Sequence, residues 1–402
     1  MIDAPLVCWI VVNSVPYHEA RVKAAVEARR LRLSLIQITE VDSFRVLQTS
    51  TDCEYFNRYT LFPGVAWDEI DGRAMARKLE LELDKLRPSV VCINGWSFGG
   101  AVAALKWAAS HGVPVIVMSE STAHDAPRHW WAEQVKRRIL ASCSAALVGG
   151  EPHRQYLKEL GVAEEAIFTG YDAVDNEHFR KGSSRARQHG SDLRAALGLP
   201  ERYFFACSRF TKKKNLIGLM QGYARYRRLH GDAAWKLVVA GDGELKGDLL
   251  RAREEMELLG SVEFVGAKSY TELPAYYGLA SCFVHASTTE QWGLVVNEAM
   301  AAGLPVLVSN RCGCARDLVE EGRNGYLFDP HDPASLAGAM YTIAAERSDQ
   351  AAMGAASGEI VSRWSPENFA ENLALAAEKA LRVRAPRPGL VDRGLLQMLA
   401  AR

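Results

Sequence analysis

The 402 residues are too many for one ordinary hydrophobic core and predict two domains of roughly 200 residues each. The 48 basic residues balance the 48 acidic ones, so there is no overall electrostatic case for nucleic-acid binding, and any anion site must be local. The first apolar stretch, 6–12, is too short to span a bilayer and has no basic segment before it, so we expect a cytoplasmic protein without an export signal.

Short apolar runs alternate with amphipathic stretches through the amino-terminal half. The runs are LVCWIVV (6–12), LSLIQIT (33–39), SVVCIN (89–94), PVIVM (114–118) and AALVGG (145–150). This alternation predicts a parallel sheet covered by helices, an α/β doubly wound domain. The eight cysteines are scattered without paired spacing, which favours reduced thiols over disulfides or zinc sites.

The same pattern restarts after a polar segment at 181–202, with the runs YFFAC, WKLVVAG, VEFVG, CFVHAS and PVLVS. The restart predicts a second doubly wound domain. We therefore divide the chain into an amino-terminal domain over 1–178, a carboxyl-terminal domain over 179–364, and a terminal helix and tail over 365–402 that pack back on the first domain.

The most informative loop follows the strand CFVHAS. Glu290 comes after this strand, an apolar helix begins near Gly293, Gly303 ends that helix, and Glu298 falls about two turns inside it. Ligands of doubly wound sheets bind beyond the carboxyl ends of the strands, and anions favour helix amino termini. A carboxylate at 298 suits the vicinal hydroxyls of a ribose, and a glycine at 293 lets backbone amides approach a pyrophosphate.

A second loop, SRFTKKKN, follows the strand YFFAC and carries Arg209 and Lys214, with Lys212 and Lys213 between them. A guanidinium and an ammonium together can stabilise the negative charge of a departing diphosphate. Taken alone, a basic run after a strand is more often only a solvated turn.

These elements resemble glycosyltransferase family 4, the retaining enzymes with the GT-B fold of two facing Rossmann-like domains. The segment EQWGLVVNEAMAAGLPVLVS is similar to the family's paired glutamates followed by Ala-Met and a Gly-x-Pro turn, SRFTKKKN to its Arg-x4-Lys element, and VVAGDGEL to its Gly-x-Gly loop. YDAVDNEHF (171–179) is similar to its Pro-Asn-Gly-Val-Asp-x-x-x-Phe segment, with the first three residues replaced.

The resemblance implies a hexose transfer from a nucleoside-diphosphate sugar, UDP-sugar favoured, to a glycan or glycolipid hydroxyl in polysaccharide biosynthesis, with retention. Arg209, Lys214 and Glu290 are the implied catalytic residues. The implied donor contacts are Glu298, Gln291, Trp292, Gly293, Leu294, Val295, Gly241, Gly266 and Ala267. No DxD-like carboxylate pair stands in a suitable loop, so no metal and no cofactor are expected.

Two departures from the family pattern concern other parts of the site. The segment NRCGCARDLV lacks the usual second Gly and Pro before its acidic residue, although Asp317 keeps the acid. The histidine that often follows the fourth amino-terminal strand is replaced by Glu120, while His124 stands four residues later. Both Glu120 and His124 are candidates for contact with the sugar.

The acceptor side is predicted in the amino-terminal half. His18, at the start of a helix after the first strand, could orient an acceptor hydroxyl, or it could be a cap or a packed residue. Asn94 and Trp96 are candidate sugar or lipid contacts, with ordinary turn packing as the alternative. RHWWAEQVKRRI (128–139) combines tryptophans with basic residues and is compatible with a peripheral contact with a membrane surface, or with ordinary packing beside a solvated face.

Two other functions are compatible with the same motifs. One is a nucleotide-sugar 2-epimerase with the same two domains, which would form an epimer without an acceptor. The other is a catalytically idle homologue that binds nucleotide and scaffolds partner transferases. The four charged donor-site residues, Arg209, Lys214, Glu290 and Glu298, favour an active transferase over the scaffold.

Overall fold

The computed structural model describes residues 4–41, 56–345, 348–383, 385–386 and 389–400. The chain divides into two compact units, one formed by Met1–Ala173 together with Ser365–Arg402 and the other by Val174–Trp364. The division after Ala173 falls slightly before the predicted boundary at 178. No helix in the described ranges is both long enough and apolar enough to cross a membrane.

The strands are β1 (Leu6–Val11), β2 (Arg32–Gln37), β3 (Asn57–Thr60), β4 (Val90–Asn94), β5 (Val115–Ser119), β6 (Ala145–Val148), β7 (Ile167–Thr169), β8 (Tyr203–Cys207), β9 (Lys236–Ala240), β10 (Val262–Gly266), β11 (Cys282–His285), β12 (Val306–Ser309) and β13 (Gly325–Phe328). The helices of the amino-terminal half are α1 (Pro16–Glu27), α2 (Gly72–Leu86), α3 (Gly99–His111), α4 (Trp130–Leu140) and α5 (Glu151–Glu159). They are followed by α6 (Asn176–Gln188), α7 (Gly190–Leu197), α8 (Leu216–His230), α9 (Lys246–Glu255), α10 (Leu273–Leu279), α11 (Leu294–Ala301), α12 (Ala315–Leu318), α13 (Pro333–Ala344), α14 (Gln350–Val361), α15 (Pro366–Arg382) and α16 (Leu390–Ala400).

The first unit contains a seven-stranded parallel sheet in the order β3-β2-β1-β4-β5-β6-β7. The sequence pattern did not predict β3 or β7. The segment NRYT of β3 is polar and only partly buried, and β7 is three residues long, so neither has the apolar run by which the inner strands are found.

Alternate residues of β1 enter separate cores on the two faces of this sheet. Ile10 packs in the layer that includes residues of α2 and α3, whereas Trp9 packs in the layer that includes residues of α1 and α15. The ring of Phe369 on α15 lies 5.5 Å from that of Trp9. Because both faces are covered, β1 is apolar throughout rather than alternating in polarity.

The last described helix, α16, also belongs to the first unit. The sequence pattern did not predict this helix, which lies in the tail that follows α15. Leu396 is buried in the core that contains α3, and Arg138 of α4 donates a 2.8 Å hydrogen bond to Asp392. Two of its apolar side chains, Val391 and Met398, remain exposed.

The second unit contains a six-stranded parallel sheet in the order β10-β9-β8-β11-β12-β13. Its inner strands are buried apolar runs, as the sequence predicted. Since β9, β8 and β11 are neighbours and parallel, the loops that follow these three strands emerge at the same edge of the sheet.

Two glycines of α14 give a matched test of packing in the second unit. A methyl group at Gly354 would lie 2.1 Å from the carbonyl oxygen of Gly303. A methyl group at Gly358 would have no heavy atom of the described residues within 4 Å. We expect Gly354→Ala to lower the free energy of unfolding by about 1–3 kcal/mol because the helix must shift. Gly358→Ala should raise it by about 0.5–1 kcal/mol through helix propensity alone. Urea denaturation measures both, and equal effects would show that α14 does not contact this turn.

Candidate functional site

The loop after β8 is held in a defined conformation. A 3-10 turn over Lys212–Lys214 leads to Asn215, whose backbone is left-handed with φ of 54°. The side-chain amide of Asn215 donates a 2.9 Å hydrogen bond to the carbonyl of Pro330. This conformation directs the half-buried Lys214 inward. Arg209 is exposed and makes no side-chain hydrogen bond or ion pair with another residue in the described ranges.

The loop after β9 requires glycine. Gly241 has φ of 140°, and a Cβ there would lie 1.9 Å from the carbonyl oxygen of Ser208. Gly243 has φ of 153° and the same constraint against the backbone of Phe210. Only glycine therefore allows this loop to lie directly on the loop that carries Arg209.

The end of β10 completes this side of the site. Gly241 N–H donates a 2.9 Å hydrogen bond to the carbonyl oxygen of Gly266, which itself has φ of 74°. Ala267 follows and is exposed. The predicted donor contacts Gly241, Gly266 and Ala267 thus lie close together at the edge of the sheet.

Glu290 lies in the loop after β11, and its Oε2 atom accepts three contacts. Lys214 donates a hydrogen bond to it, Ser287 Oγ donates at 3.1 Å, and His285 Nε2 lies 3.3 Å away. Lys213 lies 3.9 Å from the other oxygen, Oε1. The backbone of Glu290 is fixed as well, because its carbonyl accepts a 2.9 Å hydrogen bond from Gly313 N–H.

These contacts determine the charges of the groups around Glu290. Burial alone would raise the pKa of Glu290, but the hydrogen bond with His285 and the Lys214 ammonium outweigh burial and hold that pKa well below its ordinary value. Burial lowers the pKa of His285 and favours its neutral form. The site thus contains an ionised carboxylate beside a neutral imidazole.

Glu298 has the opposite electrostatic environment. Burial raises its pKa to about 7, although a 2.8 Å hydrogen bond from the hydroxyl of Tyr277 to Oε2 partly offsets this effect. Burial and, to a smaller extent, the Glu298 carboxylate together raise the pKa of the nearby Cys207 thiol to about 12. Glu298 is therefore a carboxyl group that can change its charge near neutral pH.

The first turn of α11 lies between the two glutamates. Gly293 caps the helix with φ of 109° and has no side chain to occupy the free amides of that turn. Leu294 and Val295 follow and are half-buried, so the turn offers backbone N–H groups rather than polar side chains. Such a turn can bind an anion.

The neighbours of Gly293 on the amino-terminal side differ from each other. Gln291 is exposed. The side chain of Trp292 is buried, donates a 2.8 Å hydrogen bond from Nε1 to Asn297, and packs 6.0 Å from the ring of Trp364. The indole therefore supports the loop from inside the unit, and only the backbone of Trp292 could reach a ligand without rearrangement.

Residues that the sequence did not single out also belong to this site. Tyr277 contacts Glu298, and His285 and Ser287 contact Glu290. One signal was available. His285 and Ser287 are polar residues two positions apart at the end of an apolar strand, and that spacing places both on one face.

The candidate residues of the amino-terminal unit lie at different depths. His18 is buried, and its ring lies 5.3 Å from that of Trp9. Asn94 accepts a 2.7 Å hydrogen bond from Nε1 of the same Trp9. Trp96 is partly buried against the core of this unit, and His124 is exposed.

Glu120 is partly exposed and interacts with buried polar residues, a grouping that the sequence did not predict. Burial and the neighbouring Glu120 raise the pKa of Asp172 well above its ordinary value, and the guanidinium of Arg21 opposes this shift. Arg21 is fully buried, lies 4.0 Å from Asp172 and donates a 2.8 Å hydrogen bond to the carbonyl of Ala173. Its guanidinium also lies 4.7 Å from the centre of the Tyr171 ring.

Comparison with family models matches both units. The glycosyl transferase 4-like domain matches residues 11–169, and the glycosyl transferases group 1 domain matches residues 192–359. The two models together cover most of the chain, which is therefore a glycosyltransferase of the family 4 kind. This family assignment agrees with the two parallel-sheet, Rossmann-like domains of the GT-B fold, and the protein is a glycosyltransferase.

Individual relatives are distant. Glycogen synthase of Mycobacterium tuberculosis is 28% identical over 363 residues, which cover 82% of this chain and 80% of that protein. D-inositol 3-phosphate glycosyltransferase of Corynebacterium urealyticum is 29% identical over 207 residues, 50% of this chain and 48% of that protein.

Two solved structures share the fold. Sucrose-phosphate synthase from Thermosynechococcus elongatus has a TM-score of 0.71 at 19% identity and covers 92% of this chain and 97% of its own. Anabaena HepE in complex with UDP and glucose has a TM-score of 0.70 at 17% identity and covers 92% of this chain and 98% of its own.

The shifted pKa of Glu298 predicts how stability depends on pH. The native pKa of about 7 exceeds the ordinary 4.5, so the folded protein binds this proton more tightly than the unfolded chain. The resulting stabilisation is complete below pH 4.5 and is lost as the pH rises through 7. We expect the melting temperature of Glu298→Gln to gain on that of the unaltered protein over this interval. Tyr277→Phe should lose more stability than the unaltered protein over the same interval, because it removes a donor to the ionised carboxylate. A pH-independent difference between Glu298→Gln and the unaltered protein would contradict the raised pKa of Glu298.

Proposed function

We propose that this glycosyltransferase moves a hexose from a nucleoside-diphosphate sugar, most simply a UDP-sugar, to a hydroxyl of a glycan or lipid-linked acceptor, with retention at the anomeric carbon and without a metal. The observation that carries the proposal is the ionised Glu290 and its partner Lys214 at the carboxyl edge of the second sheet, beside the open first turn of α11. UDP is bound in the HepE structure of the same fold.

The positive groups of this edge would receive the diphosphate. Arg209 is exposed and not paired with any described side chain, so it can form forked hydrogen bonds to phosphate oxygens without losing a partner. Lys214 and the free amides after Gly293 add a compact charge and a helix amino terminus. Together these groups can stabilise the charge that develops on the leaving diphosphate.

The two glutamates would have separate roles. The depressed pKa of Glu290 makes it a poor proton donor, but its negative charge can hold donor hydroxyls and stabilise positive charge at the anomeric carbon. Glu298 can accept hydrogen bonds from the 2′- and 3′-hydroxyls of a ribose. Binding two hydroxyl donors would stabilise the ionised form of Glu298 and lower its pKa.

The acceptor is proposed to bind the amino-terminal unit. Of the five candidate residues, His124 is exposed and Glu120 is partly exposed, so both can meet a ligand as they stand. His18 is buried against Trp9, and Asn94 accepts a hydrogen bond from Trp9. These two residues would therefore support the acceptor site through Trp9 rather than contact the acceptor themselves. These polar side chains suit an acceptor that bears hydroxyl groups.

Nucleotide release from a panel of UDP-, GDP- and ADP-sugars, with EDTA present, tests the proposal. We expect nucleotide release from one donor. Lys214→Ala and Arg209→Ala should each reduce this release by about 100-fold or more, because each removes a positive charge that stabilises the leaving diphosphate. Arg202→Ala is the matched control, since Arg202 is exposed at the opposite end of β8. The configuration of the product, read by NMR, tests retention.

The alternatives give different results in the same assay. Formation of an epimer without an acceptor would identify a 2-epimerase. Nucleotide binding without release or transfer from any donor–acceptor pair would identify an idle scaffold. Absence of both nucleotide binding and release would overturn the donor site itself, and loss of activity in EDTA would overturn the metal-free proposal.

A peripheral membrane contact is proposed for the start of α4. The side chains of Trp130 and Trp131 are 78% and 59% exposed, and the exposed Arg137 lies on the same helix. Exposed indoles beside basic residues suit the headgroup region of an anionic bilayer. A lipid-linked acceptor would be reached from such a position.

Vesicle co-sedimentation tests this contact. With vesicles of phosphatidylcholine and phosphatidylglycerol, we expect the double variant Trp130→Ala, Trp131→Ala to bind several-fold less than the unaltered protein, because two indoles no longer enter the interface. Leu229→Ala on α8 is the control for loss of an exposed apolar side chain. Equal binding by both variants, or no preference for the anionic lipid, would contradict the contact.

A further inference from the structure

His285 is a buried polar residue at the end of an otherwise apolar strand. It is 3% exposed, and its neighbours in β11 are Cys282, Phe283 and Val284. A polar ring in such a place needs a partner, because burying an unpaired polar group destabilises the fold. The partners of His285 Nε2 are Ser287 Oγ at 3.2 Å and Glu290 Oε2 at 3.3 Å.

The three side chains form a closed triangle of contacts. Ser287 Oγ lies 3.2 Å from His285 Nε2 and 3.1 Å from Glu290 Oε2, and the third side is the 3.3 Å contact of His285 with Glu290. Ser287 is fully buried. A hydroxyl and a neutral imidazole can each direct a proton to the same carboxylate oxygen.

The two oxygens of Glu290 are consequently different. Oε2 receives Lys214, Ser287 and His285, while Oε1 has only the Lys213 ammonium at 3.9 Å among the described residues. The carboxylate is thus anchored through one oxygen and presents the other.

Lys214 cannot be the only anchor. Under the proposed function the Lys214 ammonium also binds the diphosphate. A phosphate oxygen would then compete with Glu290 for the hydrogen bonds that this ammonium donates. A buried carboxylate that lost its partner would take up a proton or change rotamer. The contacts from Ser287 and His285 do not involve the nucleotide and would persist.

We infer that His285 and Ser287 are positioning residues, which keep Glu290 ionised and in one rotamer with Oε1 towards the donor sugar while Lys214 serves the leaving group. The inference rests on the proposed function of Glu290. Among the described residues, Lys213 and Cys312 also face Glu290. Burial and the Glu290 charge raise the pKa of the Cys312 thiol, so this thiol stays neutral.

The test compares His285→Leu, which keeps a similar buried volume without a donor, with His285→Gln, whose amide can still donate. Ser287→Ala removes the second contact. For each variant we would measure donor turnover against pH, UDP affinity by calorimetry and the melting temperature. A carboxylate titration by ¹³C NMR with labelled glutamate reads the charge of Glu290 directly and needs no activity.

We expect His285→Leu to lower kcat by about ten- to a hundredfold, the range for loss of a hydrogen bond to a charged group, while KM for the donor and UDP affinity change about threefold or less. The acidic limb of the pH–rate profile of His285→Leu should move to higher pH, because Glu290 loses a hydrogen-bond donor that lowers its pKa. His285→Gln should recover most of kcat, and Ser287→Ala should shift in the same direction as His285→Leu.

Two results would overturn the inference. One is an unshifted Glu290 titration in His285→Leu, which would show that the imidazole does not hold the carboxylate. The other is equal loss in His285→Gln and His285→Leu, accompanied by lowered melting temperatures, which would show that His285 only fills the core. If the unaltered protein neither binds nor cleaves any nucleotide sugar, the proposed function fails instead, and the NMR titration still decides whether His285 positions Glu290.

Discussion

A largely buried, ionised carboxylate in the loop after β11, that of Glu290, is the constraint on which the rest of this site depends. Taking a carboxylate out of water is costly unless donors replace the lost hydration. The fold supplies those donors from two segments, Lys214 from the turn after β8 and His285 with Ser287 from β11 and its extension. Parallel neighbouring strands bring the segments together, so the sheet topology and the charge of Glu290 are aspects of one arrangement.

The contrast between Glu290 and Glu298 shows how local surroundings separate two chemically identical residues. Positive and polar donors surround Glu290 and keep it ionised. Glu298 lies on α11, where it accepts a hydrogen bond from the Tyr277 hydroxyl, and burial brings its pKa to about 7. A fixed negative charge suits a reacting centre, whereas a carboxyl group of adjustable charge suits recognition of neutral hydroxyls. The two proposed roles thus correspond to two different electrostatic environments.

Much of this second unit could be predicted from the sequence because its signals are local. The apolar strands, the basic run after β8 and the glycines before the helices can each be recognised within a few residues. The role of Gly241 depends on an approach to Ser208 across two loops, and the burial of Trp292 depends on Asn297 and Trp364. Such long-range contacts leave no pattern in one segment, which is why Trp292 was grouped with the exposed Gln291 and His285 was passed over.

The amino-terminal unit shows the same limit in a different way. Replacement of the family's histidine by Glu120 and the altered segment beginning at Tyr171 appear as two unrelated departures in the sequence. In the structure Glu120 and Asp172 interact, and Arg21 faces Asp172. Two carboxyl groups this close cannot both ionise easily, and the raised pKa of Asp172 lets it remain neutral beside Glu120. A neutral Asp172 can donate a hydrogen bond, so the altered segment gives Glu120 a physically compatible neighbour.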